Sequence, residues 1–167
     1  MGKAKRASRR RTPASEEGRV RQTSQSGIAR HEQGERGELA FLCKATNPGF
    51  ALSLPYGQRH RYDFVVDGGR NIWRVQVKTT VRMAFGMYQV GIHRRSNHKG
   101  RAYTESEIDF VAVYILPEET WYILPVREVV GRTGMLFRPK GWTRHDPHAY
   151  YREAWHLLRQ PDGLVFG

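Results

Sequence analysis

The stretch Tyr62–Thr80, YDFVVDGGRNIWRVQVKTT, contains two strand-like runs that meet at a Gly-Gly pair. Valine and aromatic residues dominate both runs, and Gly-Gly suits the two-residue turn of a β-hairpin. Three polar side chains interrupt this pattern: Asp63 in the first run, and Gln76 and Lys78 in the second. An acid, an amide and a lysine in a segment otherwise suited to burial need a physical reason.

A two-residue turn at Gly68 and Gly69 predicts which residues face each other, and it pairs Asp63 with Arg74. Because side chains alternate between the faces of a strand, this register separates apolar from polar residues. One face holds Tyr62, Phe64, Val66, Trp73, Val75 and Val77, and the other holds Arg61, Asp63, Val65, Ile72, Arg74, Gln76 and Lys78. A slip of one residue would separate the acid from the amide and the lysine, so the pattern favours the register that gathers them.

Two interpretations of this polar face are open from the residues alone. It is either an ordinary solvated strand face, with ion pairs worth little, or a site for a bound cation. Glu38 favours the second interpretation, because it lies three and four residues before Phe41 and Leu42 and so shares the apolar stripe of a predicted helix. A carboxylate on an apolar stripe is costly without a partner, and a cation is one such partner.

The rest of the sequence predicts a mixed α/β domain. Its further elements are a helix over Glu35–Thr46, strands over Phe50–Leu54, Met83–Ile92, Phe110–Ile115 and Trp121–Leu124, and a C-terminal helix from Pro147 to about Leu158. Asn47-Pro48-Gly49 ends the first helix, and Asp146 can cap the last. The last two strands are near-continuous apolar runs, which predicts a second hairpin that is covered on both faces. Asp109 is interpreted as the residue that opens this hairpin.

The first residues of the chain differ from the rest in composition. Residues 1–30 carry nine Lys and Arg against two Glu, and they include no aromatic residue. Such a segment cannot bury enough apolar surface to offset the entropy of ordering. The sequence therefore predicts a disordered basic tail over residues 1–31 and one folded domain over residues 32–167.

The net charge of +12 favours a polyanionic partner, most often nucleic acid. The chain has one cysteine, Cys43, which excludes an intramolecular disulfide and a multi-cysteine zinc site. No apolar run reaches the roughly 18 residues that a membrane span needs, and the sequence does not open with the apolar stretch of a secretory signal. We therefore expect a cytoplasmic protein that does not enter membranes.

The order of Glu38 on a helix, Asp63 on a strand and Gln76-Val77-Lys78 on the next strand resembles the PD-(D/E)XK nuclease superfamily. The branch of group I intron homing endonucleases and related bacterial proteins is the most similar. The resemblance spans roughly residues 32–160 and includes the phrases RYDFVVDGG (61–69), WRVQVKT (73–79), SEIDFVAVY (106–114), WYILPV (121–126) and EAWHLL (153–158). Most of the superfamily has Glu or Asp at the position of Gln76, whereas this branch carries Gln.

This resemblance implies a restriction-endonuclease-like αβββαβ core, followed here by the C-terminal helix. It also implies a metal-dependent DNA endonuclease that cuts double-stranded or branched DNA, with Glu38, Asp63, Gln76 and Lys78 as the catalytic residues. Mg²⁺ or Mn²⁺ would be held by Glu38, Asp63, the amide oxygen of Gln76 and the main-chain carbonyl of Val77. Lys78 would orient the attacking water and offset phosphate charge.

Basic residues around this face are candidates for contact with DNA. They are Arg59, His60, Arg61, Arg94, Arg95, Lys99 and Arg101. Cutting both strands with one small domain per strand predicts a homo-oligomer, either a dimer or a tetramer. Two alternatives remain: a DNA-binding protein of the same fold that has lost hydrolysis, with Gln76 as the trace of that loss, and an RNA-associated basic protein whose hairpin face is merely polar.

Overall fold

The structure, a computed structural model, describes residues 13–57, 60–93, 100–139, 146 and 148–159, with side chains from residue 29 onward. The chain divides into two compact units, Met1–Glu32 and Gln33–Gly167. All strands and all candidate site residues belong to the second unit. Along the described residues, no helix combines the length and the apolar character that crossing a membrane requires.

Helix α1 spans Pro13–Thr46. Its end at Thr46 agrees with the prediction, but the sequence predicts a start at Glu35. The helix therefore begins before its predicted start, whereas the disorder of residues 1–31 stays a prediction. Proline also suits the first turn of a helix.

Within the described residues, eight strands follow the helix: β1 Ala51–Ser53, β2 Phe64–Asp67, β3 Ile72–Thr80, β4 Met83–Ala84, β5 Met87–Gly91, β6 Phe110–Ile115, β7 Thr120–Pro125 and β8 Gly134–Phe137. Five of them form one sheet in the order β1-β2-β3-β6-β7, and the other three form a second sheet in the order β4-β5-β8. In the first sheet, β3 and β6 run parallel and the other neighbours run antiparallel. The predicted mixed fold class and the predicted β6–β7 hairpin are confirmed.

The crossover from β3 to β6 differs from the predicted core. An αβββαβ core has a helix between its third and fourth strands. The described residues of this crossover, 81–93 and 100–109, contain the β4–β5 hairpin and no α-helix. This hairpin pairs with β8, so the crossover contributes to the second sheet.

The predicted C-terminal α-helix is wrong, because the segment forms two 3₁₀ helices, Ala149–Tyr151 and Trp155–Leu158. Between them, Glu153 has a φ of 50°, which lies outside the right-handed helical region. Arg152 forms a bridge with Tyr122 of β7. Pairing with the edge of the sheet therefore interrupts the apolar spacing that predicts a continuous helix.

Both faces of the five-stranded sheet are covered. On one face, Phe41 of α1 is fully buried, with its ring centroid 5.0 Å from that of Phe64 and 5.7 Å from that of Trp121. On the other face, residues of β6 pack with Tyr88 and Phe137 of the second sheet. Every residue of β6 is buried, as its continuous apolar run predicts.

The turn of the β2–β3 hairpin is longer than the sequence predicts. The last pair of the ladder is Asp67 with Ile72, so residues 68–71 form the turn. Asp67 Oδ1 accepts the main-chain N–H of Gly69 at 2.8 Å, and Asn71 O accepts that of Gly68 at 2.9 Å. Gly69 adopts a φ of 96°, which glycine reaches without strain. These local bonds favour a four-residue turn over the two-residue turn that Gly-Gly suggests.

This longer turn corrects the predicted pairing of Asp63 with Arg74. Arg74 pairs instead with Val65, and Asp63 lies beside Gln76, with which it forms a hydrogen bond. The register differs by two residues from the predicted one. Because the side-chain period of a strand is also two, every paired side chain keeps its predicted face.

Candidate active site

Asp63, Gln76 and the main chain of Val77 converge in the β2–β3 hairpin. Oδ2 of Asp63 accepts the main-chain N–H of Val77 at 2.8 Å. The same oxygen accepts a hydrogen bond from Nε2 of Gln76. That nitrogen also donates to the main-chain oxygen of Val77, at 3.1 Å. The structure thus brings together three of the groups that the resemblance implies as metal ligands.

The orientation of the Gln76 amide follows from its two neighbours. An ionised Asp63 carboxylate and the main-chain carbonyl of Val77 can only accept hydrogen bonds. The NH₂ end of the amide, and not its oxygen, must therefore face them. Gln76 is only 9% exposed, so water does not readily replace these two bonds.

Burial raises the pKa of Asp63 above its ordinary value. The hydrogen bond from Val77, the charge of Lys78 and the hydrogen bond from Gln76 all oppose that increase. The ionised carboxylate is therefore held at a cost that a further positive charge would relieve. Acids that burial and specific partners perturb in this way are concentrated at functional sites.

Lys78 follows Gln76 on the same face of β3, since residues two apart in a strand share a face. Its Nζ lies 5.4 Å from the centroid of the Tyr103 ring, and Tyr103 is buried. An ammonium group over an aromatic ring gains about 0.5–2 kcal/mol, so Tyr103 restrains the position of the lysine. The sequence carries no signal for this contact, because Tyr103 lies in a loop without strand or helix periodicity.

Glu38 lies beside the buried stripe of α1 and not within it. Gly37 and Phe41 are buried, whereas Glu38 is exposed and Leu42 is 37% exposed. The prediction that Glu38 shares a core-facing stripe with Phe41 and Leu42 is therefore wrong. The buried stripe includes Gly37, which lies directly against β3. A Cβ on this residue would lie 1.7 Å from Oγ1 of Thr79. Only glycine lets the helix approach β3 so closely.

Glu38 and Asp63 nevertheless line the same cleft, which has a volume of about 310 Å³. The other lining residues are Leu54, Pro55, Gly57, His60 and Tyr62. One carboxylate comes from the helix and the other from the residue just before β2. The cleft therefore presents two acids at one opening, next to the buried amide.

Arg74 and Asp109 tie the loop that carries Tyr103 to β3. Asp109 accepts hydrogen bonds from the main-chain N–H of Arg74 at 2.7 Å and from its guanidinium group at 2.8 and 3.0 Å. Such bidentate, charge-assisted pairs are among the stronger hydrogen bonds in proteins. Asp109 directly precedes β6, as predicted, and its link to Arg74 is a structural role that the sequence does not reveal.

The predicted DNA-binding residues are only partly described. Arg59, Arg94, Arg95 and Lys99 lie outside the described residues. His60, Arg61 and Arg101 are exposed. Nε2 of His60 lies 2.8 Å from the main-chain oxygen of Tyr56, and Nε of Arg61 lies 4.0 Å from a carboxylate oxygen of Glu107.

The oxygen donors of this site suit a hard divalent cation better than zinc. In the part of the chain that the structure describes, no group of three or more His, Cys, Asp or Glu residues is arranged to hold a metal ion. Asp63 Oδ2 and Val77 O do, however, converge on a single atom, Nε2 of Gln76. A carboxylate, a main-chain carbonyl and an amide are ligands that Mg²⁺ accepts, with water in its remaining positions.

Comparisons with known proteins agree with this geometry. The family model described as PD-(D/E)XK endonuclease matches residues 28–158, which include every residue of the convergent site. A solved structure of a bacterial homing endonuclease, I-Ssp6803I, is similar with a TM-score of 0.68 and 27% sequence identity, covering 77% of this chain and 92% of that chain. No curated protein sequence matches this chain.

Proposed function

Because the chain belongs to the PD-(D/E)XK endonuclease family, we propose that it is a metal-dependent DNA endonuclease, cutting phosphodiester bonds in double-stranded or branched DNA. The observation that carries this proposal is the convergence of Asp63, Gln76 and the Val77 main chain in one hairpin, with Lys78 next along β3. Similarity to a solved homing endonuclease supports the same class of activity.

The ligands for Mg²⁺ or Mn²⁺ are Asp63, Gln76 and the main-chain oxygen of Val77, with Glu38 as the second carboxylate of the cleft. Once bound, such an ion supplies positive charge that stabilises the phosphate group. The chain itself fixes the central ligand, because the N–H of Val77 holds Oδ2 of Asp63 in place. Holding a ligand before binding reduces the ordering cost that binding would otherwise incur.

Lys78 is the group that acts on the attacking water. Its ammonium group has three donors and no acceptor, so it orients the water through a lone pair and offsets negative charge on the phosphate. Tyr103 limits the positions that this group can occupy. Positioning and electrostatic stabilisation of this kind supply much of the catalysis in phosphoryl chemistry.

A test of the proposal is incubation of the purified protein with supercoiled plasmid and Mg²⁺, repeated with Mn²⁺ and with a chelator. We expect nicked or linear DNA with either ion and intact plasmid with chelator. Asp63→Ala, purified in the same way, is the matched control for a contaminating nuclease, because this variant lacks the central ligand but would carry the same contaminants. Cleavage that survives both the chelator and Asp63→Ala would reject the proposal.

The second candidate is a DNA-binding protein of the same fold that does not hydrolyse DNA. The feature that favours it is Gln76, which replaces the usual carboxylate of the superfamily and donates a hydrogen bond to Asp63. Such a protein would retard plasmid in a gel without nicking it under any metal condition. The plasmid experiment therefore separates the two candidates.

The proposed partners are DNA and further copies of the chain. The nine Lys and Arg of residues 1–30 supply an electrostatic contact to phosphates that does not depend on base sequence. Cutting both strands requires two sites, which a symmetric dimer or tetramer provides. Sedimentation analysis of the protein with and without DNA measures the assembly, and a monomer in both conditions would remove the oligomer from the proposal.

A further inference from the structure

We propose that the NH₂ group of Gln76 engages two of the oxygens that would hold a divalent cation, and that this amide must turn over before the cation binds. The NH₂ group bridges the two oxygens, and a half-turn would present the amide oxygen as a ligand in its stead. This inference rests on the proposed function, since it concerns the metal site of that function.

Nε2 contacts two oxygens that would be ligands of the cation. It donates to Oδ2 of Asp63 and to the main-chain oxygen of Val77. Both oxygens are ligands of the proposed ion, and both hydrogen-bond acceptors and metal ligands use oxygen lone pairs. The amide hydrogens and an ion therefore compete for the same two oxygens.

The surroundings of the amide hold this arrangement in place. Gln76 is 9% exposed, so its bonds to Asp63 and Val77 are not readily exchanged for bonds to water. Oδ2 of Asp63 is fixed independently by the N–H of Val77, at 2.8 Å. The two oxygens thus keep their relative positions without an ion, because the amide satisfies both of them.

Turning the amide over requires one side-chain torsion. The terminal torsion of glutamine is broad and roughly two-fold, so a half-turn exchanges Nε2 and Oε1 without movement of the main chain. After the half-turn, Oε1 of Gln76 would face the same two oxygens, and the other torsions of the side chain would adjust to admit the ion between them. The same side chain therefore serves as a donor to Asp63 in the free protein and as a neutral ligand in the loaded protein.

A carboxylate at this position could not act in this way, because ionised glutamate has no donor. It would repel Asp63 in the free protein and attract the ion directly. The amide therefore makes the free site more stable and makes the ion compete with an internal donor. Gln76 would then set the cation concentration at which the site fills, and would not merely be a weaker ligand than glutamate.

The test is NMR spectroscopy of the full chain labelled with ¹⁵N and ¹³C, titrated with Mg²⁺ and, separately, with Ca²⁺. The side-chain NH₂ signals of Gln76 are assigned by their disappearance in Gln76→Glu, and the carboxyl carbon of Asp63 reports binding of the ion. We expect the Gln76 NH₂ signals to be protected from solvent exchange in the free protein. They should lose that protection and shift in step with the Asp63 carbon as the ion is added.

Gln33 is an internal control for this titration. Its Nε2 donates to the main-chain oxygen of Thr79 at 2.7 Å, so it is also a hydrogen-bonded glutamine amide beside β3. Its partner is not a proposed ligand, and its signals should therefore keep their protection throughout the titration.

Two results would overturn the inference in distinguishable ways. A shift of the Asp63 carbon with unchanged Gln76 NH₂ signals would reject the turnover of the amide and leave the proposed function standing. No response from either residue at saturating ion would reject both the inference and the metal dependence of the proposed function. Both results are measured on the parent chain, and Gln76→Glu serves only to assign the NH₂ signals.

Discussion

Replacing Gln76 by glutamate should have opposite effects on the free and the metal-loaded protein. The formal charge of the site, from Glu38, Asp63 and Lys78, changes from −1 to −2 in Gln76→Glu. Two unit charges about 4 Å apart interact by about 4 kcal/mol at an effective dielectric constant of about 20. Desolvation of the new carboxylate offsets part of this attraction. We therefore expect Mg²⁺ to bind about 10- to 100-fold more tightly, which corresponds to roughly 1.4–2.8 kcal/mol.

In the metal-free protein the same change removes a donor. Nε2 of Gln76 makes a charge-assisted hydrogen bond to Asp63, and such bonds are worth about 1.5–3 kcal/mol. The new carboxylate also faces Asp63 without an intervening donor. The free energy of unfolding should therefore fall by about 2 kcal/mol or more without metal, and saturating Mg²⁺ should recover the loss.

Isothermal titration with Mg²⁺ measures the affinity, and urea unfolding with and without Mg²⁺ measures the stability. Gln76→Met is the matched control, because it removes the donor without adding a charge. It should reproduce the loss of stability but not the gain in affinity. Unchanged affinity in Gln76→Glu would refute the assignment of Gln76 as a metal ligand. A parent protein that is inert on several DNA structures with Mg²⁺ and Mn²⁺, beside an active Gln76→Glu, would refute the catalytic proposal.

Other predictions concern the remaining site residues, the core and the N-terminal segment. Lys78→Ala and Asp63→Asn should each lower plasmid cleavage by orders of magnitude at equal folded concentration, and cleavage equal to the parent's would remove that residue from the mechanism. Asp63→Asn should also raise the free energy of unfolding in the metal-free protein at pH 7, because burial raises the pKa of Asp63 and its ionised form is costly; lower stability in urea would contradict this reasoning. Burial lowers the pKa of His148 below its ordinary 6.5, and Asp146 only partly opposes this effect. As the pH drops below 6.5, the unfolded chain therefore takes up a proton that the folded protein does not. The free energy of unfolding should fall until the pH has passed the folded-state pKa. In urea unfolding, His148→Gln should make this free energy less dependent on pH. Deleting residues 1–30 should leave the cleavage chemistry unchanged. It should reduce the slope of log DNA affinity against log salt concentration by about 0.9 for each phosphate that the segment neutralises. An unchanged slope would exclude this segment from DNA binding.

The polar face of the hairpin could be predicted because alternation is a property of the strand itself. Asp63, Gln76 and Lys78 share a face in the predicted register and in any register shifted from it by an even number of residues. The pairing could not be predicted in the same way, because it depends on the turn. Hydrogen bonds within residues 67–71 select the turn, and a Gly-Gly pair is compatible with more than one turn length.

Contacts that join distant parts of the chain were not predictable from the sequence. Tyr103 reaches Lys78, and Asp109 reaches Arg74, only because the crossover returns to lie beside β3. The start of α1 at Pro13 was missed for a different reason. The residues before Glu35 lack large apolar side chains at helical spacing, and that spacing is the signal that predicts a helix.

The contact between Gly37 and Thr79 has a consequence for how this protein can change by mutation. Since a Cβ on residue 37 would lie 1.7 Å from Oγ1 of Thr79 and 3.0 Å from its Cβ, the spacing of helix and strand there is set by the short side chain of Thr79, which packs directly against the backbone of Gly37. Gly37→Ala should lift α1 from β3, and Glu38 would move with it, away from Asp63. Genetic selection for restored cleavage should then recover second-site suppressors that shrink residue 79, with Thr79→Gly the most complete. Positions 37 and 79 are therefore expected to vary together or not at all.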